Sequence, residues 1–172
     1  GVHYSGFYVK KKFYNSVQPR ISTRFLVNEK ISVKAAFSIM TQYIQLLTNS
    51  GIGLPTDLWL PSTDKIKPQQ SLQYAAGAVY SIGKQFDLSL EGFYKTMENL
   101  IEYKEGANFF STGEDWQSKI VSGKGWSYGA EVLLQKNLGN FSGWIGYTLS
   151  WSTRQFDDLN FGKKYPYKYD RR

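Results

Sequence analysis

The sequence predicts an all-β fold, an antiparallel up-and-down meander of the kind found as a fragment of a transmembrane β-barrel. Three observations carry this. Side-chain character alternates with a period of two along most of the chain, and the links between alternating stretches are short and long by turns. Aromatic residues also make up 17% of a chain whose mean hydropathy is only -0.42. Such a composition is unusual for a soluble helical domain and suits strands in which every second residue meets a polar environment.

Taken in order, the chain opens on a partial strand near Val2 to Tyr8. Six long strands follow. The first, less cleanly, sets Ile21, Phe25 and Val27 against Arg20, Ser22, Arg24 and Leu26, and the second sets Ile31, Val33, Ala35, Phe37 and Ile39 against Lys30, Ser32, Lys34, Ala36 and Ser38. The third sets Tyr74, Ala76, Ala78 and Tyr80 against Gln73, Ala75 and Gly77; the fourth sets Phe86, Leu88, Leu90 and Tyr94 against Asp87, Ser89, Glu91 and Lys95. The fifth sets Tyr128, Ala130, Val132 and Leu134 against Ser127, Gly129, Glu131 and Gln135. In the sixth, Phe141, Gly143, Ile145, Tyr147, Leu149 and Trp151 oppose Ser142, Trp144, Gly146, Thr148 and Ser150. A second partial strand begins at about Tyr165. Strict alternation is the mark of a strand with two unlike faces, and no stretch offers the i, i+3, i+4 stripe of a helix.

The links give the topology. Turn-forming Asn or Gly marks tight connections at Asn28-Glu29-Lys30, Gly83-Lys84-Gln85 and Asn137-Leu138-Gly139-Asn140, while long links are expected over 9–17, 43–71, 98–123 and 153–164. All the long loops therefore fall at one end of the sheet, as in outer-membrane barrels with short periplasmic turns and long extracellular loops. Phe141 and Trp151, on one parity, are separated by roughly 34 Å of strand at about 3.4 Å per residue. A tilt of about 45° projects this to roughly 24 Å, close to the ~25 Å apolar band between aromatic girdles, so the pair is assigned to the two interfaces. A β-sandwich strand with aromatic plugs at its ends is the plainer reading of the same alternation.

Several chemistries are excluded by composition. With no Cys and one His, thiolate nucleophiles, Cys-ligated metals and multi-His sites lack material, and no phosphate-binding or dinucleotide glycine pattern is present. No enzyme activity, cofactor or metal site is predicted. The final strand stops at Asp170-Arg171-Arg172 just after it starts, so further strands are expected to follow, and residues 1–172 are read as one partial β-barrel domain.

Several motifs then carry a resemblance. Ile66-Lys67-Pro68-Gln69-Gln70-Ser71-Leu72-Gln73-Tyr74-Ala75-Ala76-Gly77 is similar to a strand-opening Lys-Pro-Glu and Tyr-x-x-Gly segment, with Gln69 in place of the acid. Gln18-Pro19-Arg20-Ile21-Ser22 resembles a Pro-Arg strand entry. Tyr128-Gly129-Ala130-Glu131-Val132 and Gly143-Trp144-Ile145-Gly146-Tyr147-Thr148-Leu149-Ser150 resemble two later paired strands, and Asp170-Arg171-Arg172 the opening of the next. In kind and order these resemble the barrels of TonB-dependent outer-membrane receptors, and Leu54-Pro55-Thr56-Asp57-Leu58-Trp59-Leu60-Pro61-Ser62 is similar to an extracellular loop of such receptors from Bacteroides-type bacteria.

The resemblance implies a 22-stranded barrel in the bacterial outer membrane, filled by a plug domain, that imports a siderophore, cobalamin or glycan with energy passed through TonB. The partners it implies are outer-membrane lipid, the plug, the remaining barrel strands, TonB and a nutrient, with no nucleic acid. Lacking a plug and a TonB box, the chain would not transport alone, and its open edges and lipid face predict self-association in plain buffer.

Asp57, Trp59, Trp116 and Phe156 fall in the predicted extracellular loops, where aromatic side chains with polar neighbours can stack on a sugar or aromatic ligand; the plainer reading is that they pack the loops together. Arg20, Arg24, Glu91 and Glu131 lie on the polar parity, toward the lumen, where solvating the interior or pairing with the plug is the plainer role. The rival class is a soluble basic β-barrel or sandwich binding nucleic acid or carbohydrate. A formal net charge of +7 with interleaved aromatics fits it, but the basic residues are spread over strands and loops without building one face.

Overall fold

The computed structural model describes residues 1–47, 58–105 and 115–171. Its elements are β1 (Val2–Val9), β2 (Lys12–Leu26), β3 (Ile31–Gln42), β4 (Ile44–Leu47), β5 (Leu58–Pro61), β6 (Gln69–Ile82), β7 (Phe86–Tyr103), β8 (Ile120–Lys136), β9 (Gly143–Phe156) and β10 (Tyr165–Pro166). Eight of these form one antiparallel sheet in the order β1-β2-β3-β6-β7-β8-β9-β10, so pairing follows the chain as in a meander. The sheet is open, with β1 and β10 at its edges. The six long strands are β2, β3, β6, β7, β8 and β9, flanked by the two partial ones.

The tight turns form as their residues dictate. Asn28 Oδ1 accepts hydrogen bonds from the amides of Lys30 and Ile31, both at 2.9 Å, closing the β2–β3 link. Gly83 (φ 62°) and Gly139 (φ 109°) supply the left-handed backbone of the other two.

Four connections differ from expectation, the 98–123 link among them because β7 runs to Tyr103 and β8 starts at Ile120. The link expected over 9–17 is a two-residue turn, because β2 already starts at Lys12; Lys10 (φ 42°) and Lys11 (φ 70°) occupy positions that Asn and Gly usually take. The 43–71 link contains a hairpin, β4 paired with β5, built from the leucine-rich run that follows Tyr43. The last long link begins only after Phe156, since β9 runs through it.

Directly opposed residues in a sheet share a face, and the register is unbroken from β2 to β9 through the middle of the sheet. One row runs Ile21, Phe37, Tyr74, Tyr94, Tyr128, Trp151; two rows nearer the short turns lie Phe25, Val33, Ala78, Leu90, Val132, Tyr147. Rings along the first row touch, with centroids 5.1 Å apart for Phe37 and Tyr74, 6.4 Å for Tyr94 and Tyr128, and 5.5 Å for Tyr128 and Trp151. The opposite face carries Ser22, Arg24, Ser32, Lys34, Gln73, Ser89, Glu91, Lys95, Ser127, Glu131 and Thr148.

Exposure in two central strands is inverted relative to a water-soluble sheet. Along β6 and β7, Tyr74, Ala76, Ala78, Tyr80, Leu90 and Tyr94 are exposed, while Gln73, Ala75, Gly77, Val79, Ser89 and Glu91 on the polar face are half-buried. Buried apolar clusters occur only at the long-loop end, among the described residues.

Candidate functional site

The middle of the polar face holds a sorted row of charge: Arg24 on β2 opposes Lys34 on β3, then come Gly77 on β6, Glu91 on β7, Glu131 on β8 and Thr148 on β9. Gly77 places nothing between Lys34 and Glu91, and their side chains meet in an ion pair across it. Arg20 lies on the same face as Arg24, two rows further toward the long-loop end. The parity that predicted these residues to share a side therefore matches the register, and Lys34 and Gly77 complete the row.

At the long-loop end both faces are clad. A β-bulge between Met97 and Leu100, with Asn99 in the left-handed region (φ 56°) and its side chain donating to Pro68 O at 2.9 Å, turns β7 as it leaves the band. Beyond it, Leu100, Val121 and Phe156 share the polar side, with Leu159 from the last link and Tyr165 of β10 packed against them. Ile101, Tyr103 and Ile120 point the other way, and the β4–β5 hairpin covers them with Leu47 and Leu60.

A polar knot ties these loops down. Thr63 O accepts from Tyr14 Oη at 2.5 Å, Thr63 Oγ1 donates to Gln117 Oε1 at 2.6 Å and accepts from Ile66 N at 3.1 Å. Asp115 caps the short 3-10 turn Trp116–Lys119 by accepting from Gln117 N, and Lys65 Nζ lies 3.2 Å from its other oxygen. The Gln117 amide, and then Lys65, hold the Asp115 carboxyl below its usual range. On the polar side, Arg154 bonds Glu102 at 3.1 Å and stacks on Tyr167 at 3.6 Å, fastening the segment that follows β10 to β7 and β9.

The predicted loop ligands are dispersed by this arrangement. Trp59 lies on β5 and is 64% exposed, whereas Trp116 is half-buried in the cluster under the hairpin, lining a cavity of about 130 Å³ with Leu47, Leu60 and Tyr103. Phe156, expected in a loop, is the last residue of β9 and is fully buried, with no face left for a ligand. Asp57 lies outside the described residues. Of the two girdle candidates, Trp151 joins the aromatic row, while Phe141 precedes β9 in the short turn and is 75% exposed. The structure brings none of Trp59, Trp116 and Phe156 to a common site. Among the described residues no three His, Cys, Asp or Glu side chains converge as metal ligands would.

The knot around Thr63 and the clasp around Arg154 were missed by sequence reasoning. Their partners are 49 to 54 residues apart or joined by loops with no regular pattern, so periodicity could not signal them. Comparison with protein families finds that the model described as TonB dependent receptor-like, beta-barrel matches residues 2–170. Neither the curated proteins nor the solved structures returned a match.

Proposed function

The chain belongs to the TonB-dependent receptor-like β-barrel family, and from that premise we propose that it forms part of the wall of an outer-membrane receptor importing a nutrient of the siderophore, cobalamin or glycan class. Members of this family are transporters of the bacterial outer membrane, not enzymes, and the family implies a plug domain and coupling to TonB. The observation that carries the reading is the pair of unlike faces held in register over six strands. A chain folding in water would turn Leu90, Ile145 and Tyr147 inward, yet they are 55%, 75% and 63% exposed, on the face opposite the charged row. Lipid is the solvent that favours this arrangement.

In this reading 1–172 is one partial barrel domain, the polar face lines the lumen, and the long-loop end faces the medium. The run from Leu54 to Ser62 supports a place among receptors of Bacteroides-type bacteria, with the exposed Trp59 as its stacking side chain. Alone in buffer, the chain self-associates through its bare apolar face and its two edge strands.

Uptake tests this. Cells carrying the full receptor accumulate one labelled compound among a ferric siderophore, a cobalamin and an oligosaccharide, and lose that uptake when TonB is removed. Accumulation that persists without TonB would overturn the coupling, and recovery of the protein in the soluble fraction would overturn the barrel.

A further inference from the structure

We propose that Lys164 and Lys124, set around the Trp126 ring on the apolar face of the sheet, hold the phosphate of a lipid headgroup in the outer leaflet and so seat the last long link on the membrane surface. This rests on the receptor reading above and deepens it by giving the wall a specific lipid contact.

The apolar face has two borders. Between the row Thr96, Trp126, Thr153 and the row Phe86, Lys136, Gly143, the positions of β7, β8 and β9 on this face carry no charged residue. At one border Lys164 Nζ lies 3.8 Å from the centre of the Trp126 ring, and at the other Lys136 Nζ lies 5.7 Å from that of Phe86, the residue directly opposite it. Trp126 and Lys136 are separated along β8 by about 34 Å of strand, which a tilt of about 45° projects to roughly 24 Å. The apolar band of an outer-membrane barrel is ~25 Å tall, so both ammonium groups stand where it ends. On β9 the same borders fall at Gly143 and Thr153, each slightly further along the chain than the Phe141 and Trp151 assigned from the alternation.

The two borders differ in what they offer a lipid. Lys136 is part of the wall, its ammonium beside Gly139 of the short turn. Lys164 belongs to the last long link and reaches back over the wall. Lys124 shares the face of Trp126 and lies about 7 Å from it along the strand, a gap that a lysine chain spans. Both lysines are exposed, and neither takes part in an ion pair among the described residues; Glu98, on the bulge across from Lys124, makes none either. An ammonium group carries three donors and no acceptor, and the aromatic ring under Lys164 satisfies it only in part. Lipid phosphates lie at this height, at the edge of the hydrocarbon, and supply charged acceptor oxygens. Two ammonium groups against one carboxylate leave the patch positive, which suits an anionic headgroup.

The test reconstitutes the full receptor in nanodiscs of an uncharged galactolipid, with and without added phosphatidylglycerol. Exchange is followed at the amides of Gly162 and Lys163, which bond to Leu159 O and Asn160 O within the link. Phosphatidylglycerol is expected to slow this exchange several-fold in the wild type and to leave it unchanged in Lys164→Gln and Lys124→Gln. Lys168→Gln removes the same charge elsewhere on the tail and is expected to keep the slowing, which separates a bound headgroup from a general effect of surface charge. Wild-type exchange that ignores the phospholipid, or slowing retained in Lys164→Gln and Lys124→Gln, overturns the site. Equal slowing by inorganic phosphate in discs of galactolipid alone would place the anion in solution and overturn the lipid as its source. A receptor that does not enter the discs and stays in the soluble fraction would instead overturn the barrel reading beneath the proposal.

Discussion

A Cβ at position 77 would lie 2.5 Å from Leu90 O and 3.1 Å from Glu91 Cα, so the absence of one atom there lets β6 and β7 close up and lets Lys34 cross to Glu91. Gly77→Ala forces backbone apart in the middle of the wall and is expected to destabilise it by about 1–3 kcal/mol, read as a lower thermal midpoint in detergent. An equal midpoint would show that the strands have room to spare. Asp115 is a residue whose effect is on pH. Its carboxyl is held below the ordinary value of 3.8 in the folded loop, so the cap is fully present above that range and is lost as pH falls through the lower folded value. Amide exchange at Gln117 and Ser118 is expected to quicken on acidification, after correction for intrinsic rates, and Asp115→Asn is expected to show the quickened rate already at neutral pH. A neutral-pH rate in that variant equal to the wild type would rule out the cap as the cause. Neither residue could be singled out from the sequence: the role of Gly77 depends on what lies across two strands, and Asp115 pairs with Lys65 from a different loop.

The elements that were legible are those whose environment repeats. Every strand from β2 to β9 in the main sheet has two unlike faces, so its side chains alternate, and the Asn and Gly turns closing them carry their own signal. What was illegible lies where that repeat ends. The β4–β5 hairpin is apolar on consecutive residues because Leu47 and Leu60 bury against the sheet while Ile44, Leu46 and Trp59 stay outside, and the turn at Lys10 and Lys11 has no Asn or Gly to announce it. The polar parity foretold the shared face of Arg24, Glu91 and Glu131, but the burial of Phe156 depends on Leu159 folding back from a link that has no pattern. The two clusters predict separable behaviour. Leu47→Ala empties the hairpin cluster at a local cost of about 2–5 kcal/mol, expected to raise amide exchange over 44–47 and 58–61 without moving the thermal midpoint of the sheet. Phe156→Ala, at about 3–5 kcal/mol, sits in the wall itself and is expected to lower that midpoint. If both variants melt the protein alike, the hairpin is not an independent unit.

At the scale of the whole molecule, the solvent on each side decides which side chains each face carries. A closed or open sheet has no thermodynamic reason to leave Tyr74, Leu90, Tyr128, Ile145 and Tyr147 outward unless the medium there is apolar, whereas the charged residues share the opposite face, which suits water or a polar partner. Because the chain contains no Cys, single cysteines can read the two media directly. Substituting cysteine at Ser89, Leu90, Thr148 and Leu149 in turn, in the receptor embedded in lipid, and attaching a nitroxide to each places labels on alternate faces of β7 and β9. The labels at positions 90 and 149 are expected to be accessible to dissolved oxygen and shielded from a water-soluble nickel chelate. Those at positions 89 and 148 are expected to show the chelate, or, where a plug covers them, neither relaxant. Accessibility of positions 90 and 149 to the chelate would mean that water bathes the apolar face, and the outer-membrane placement of this wall would then have to be abandoned even though its fold would stand.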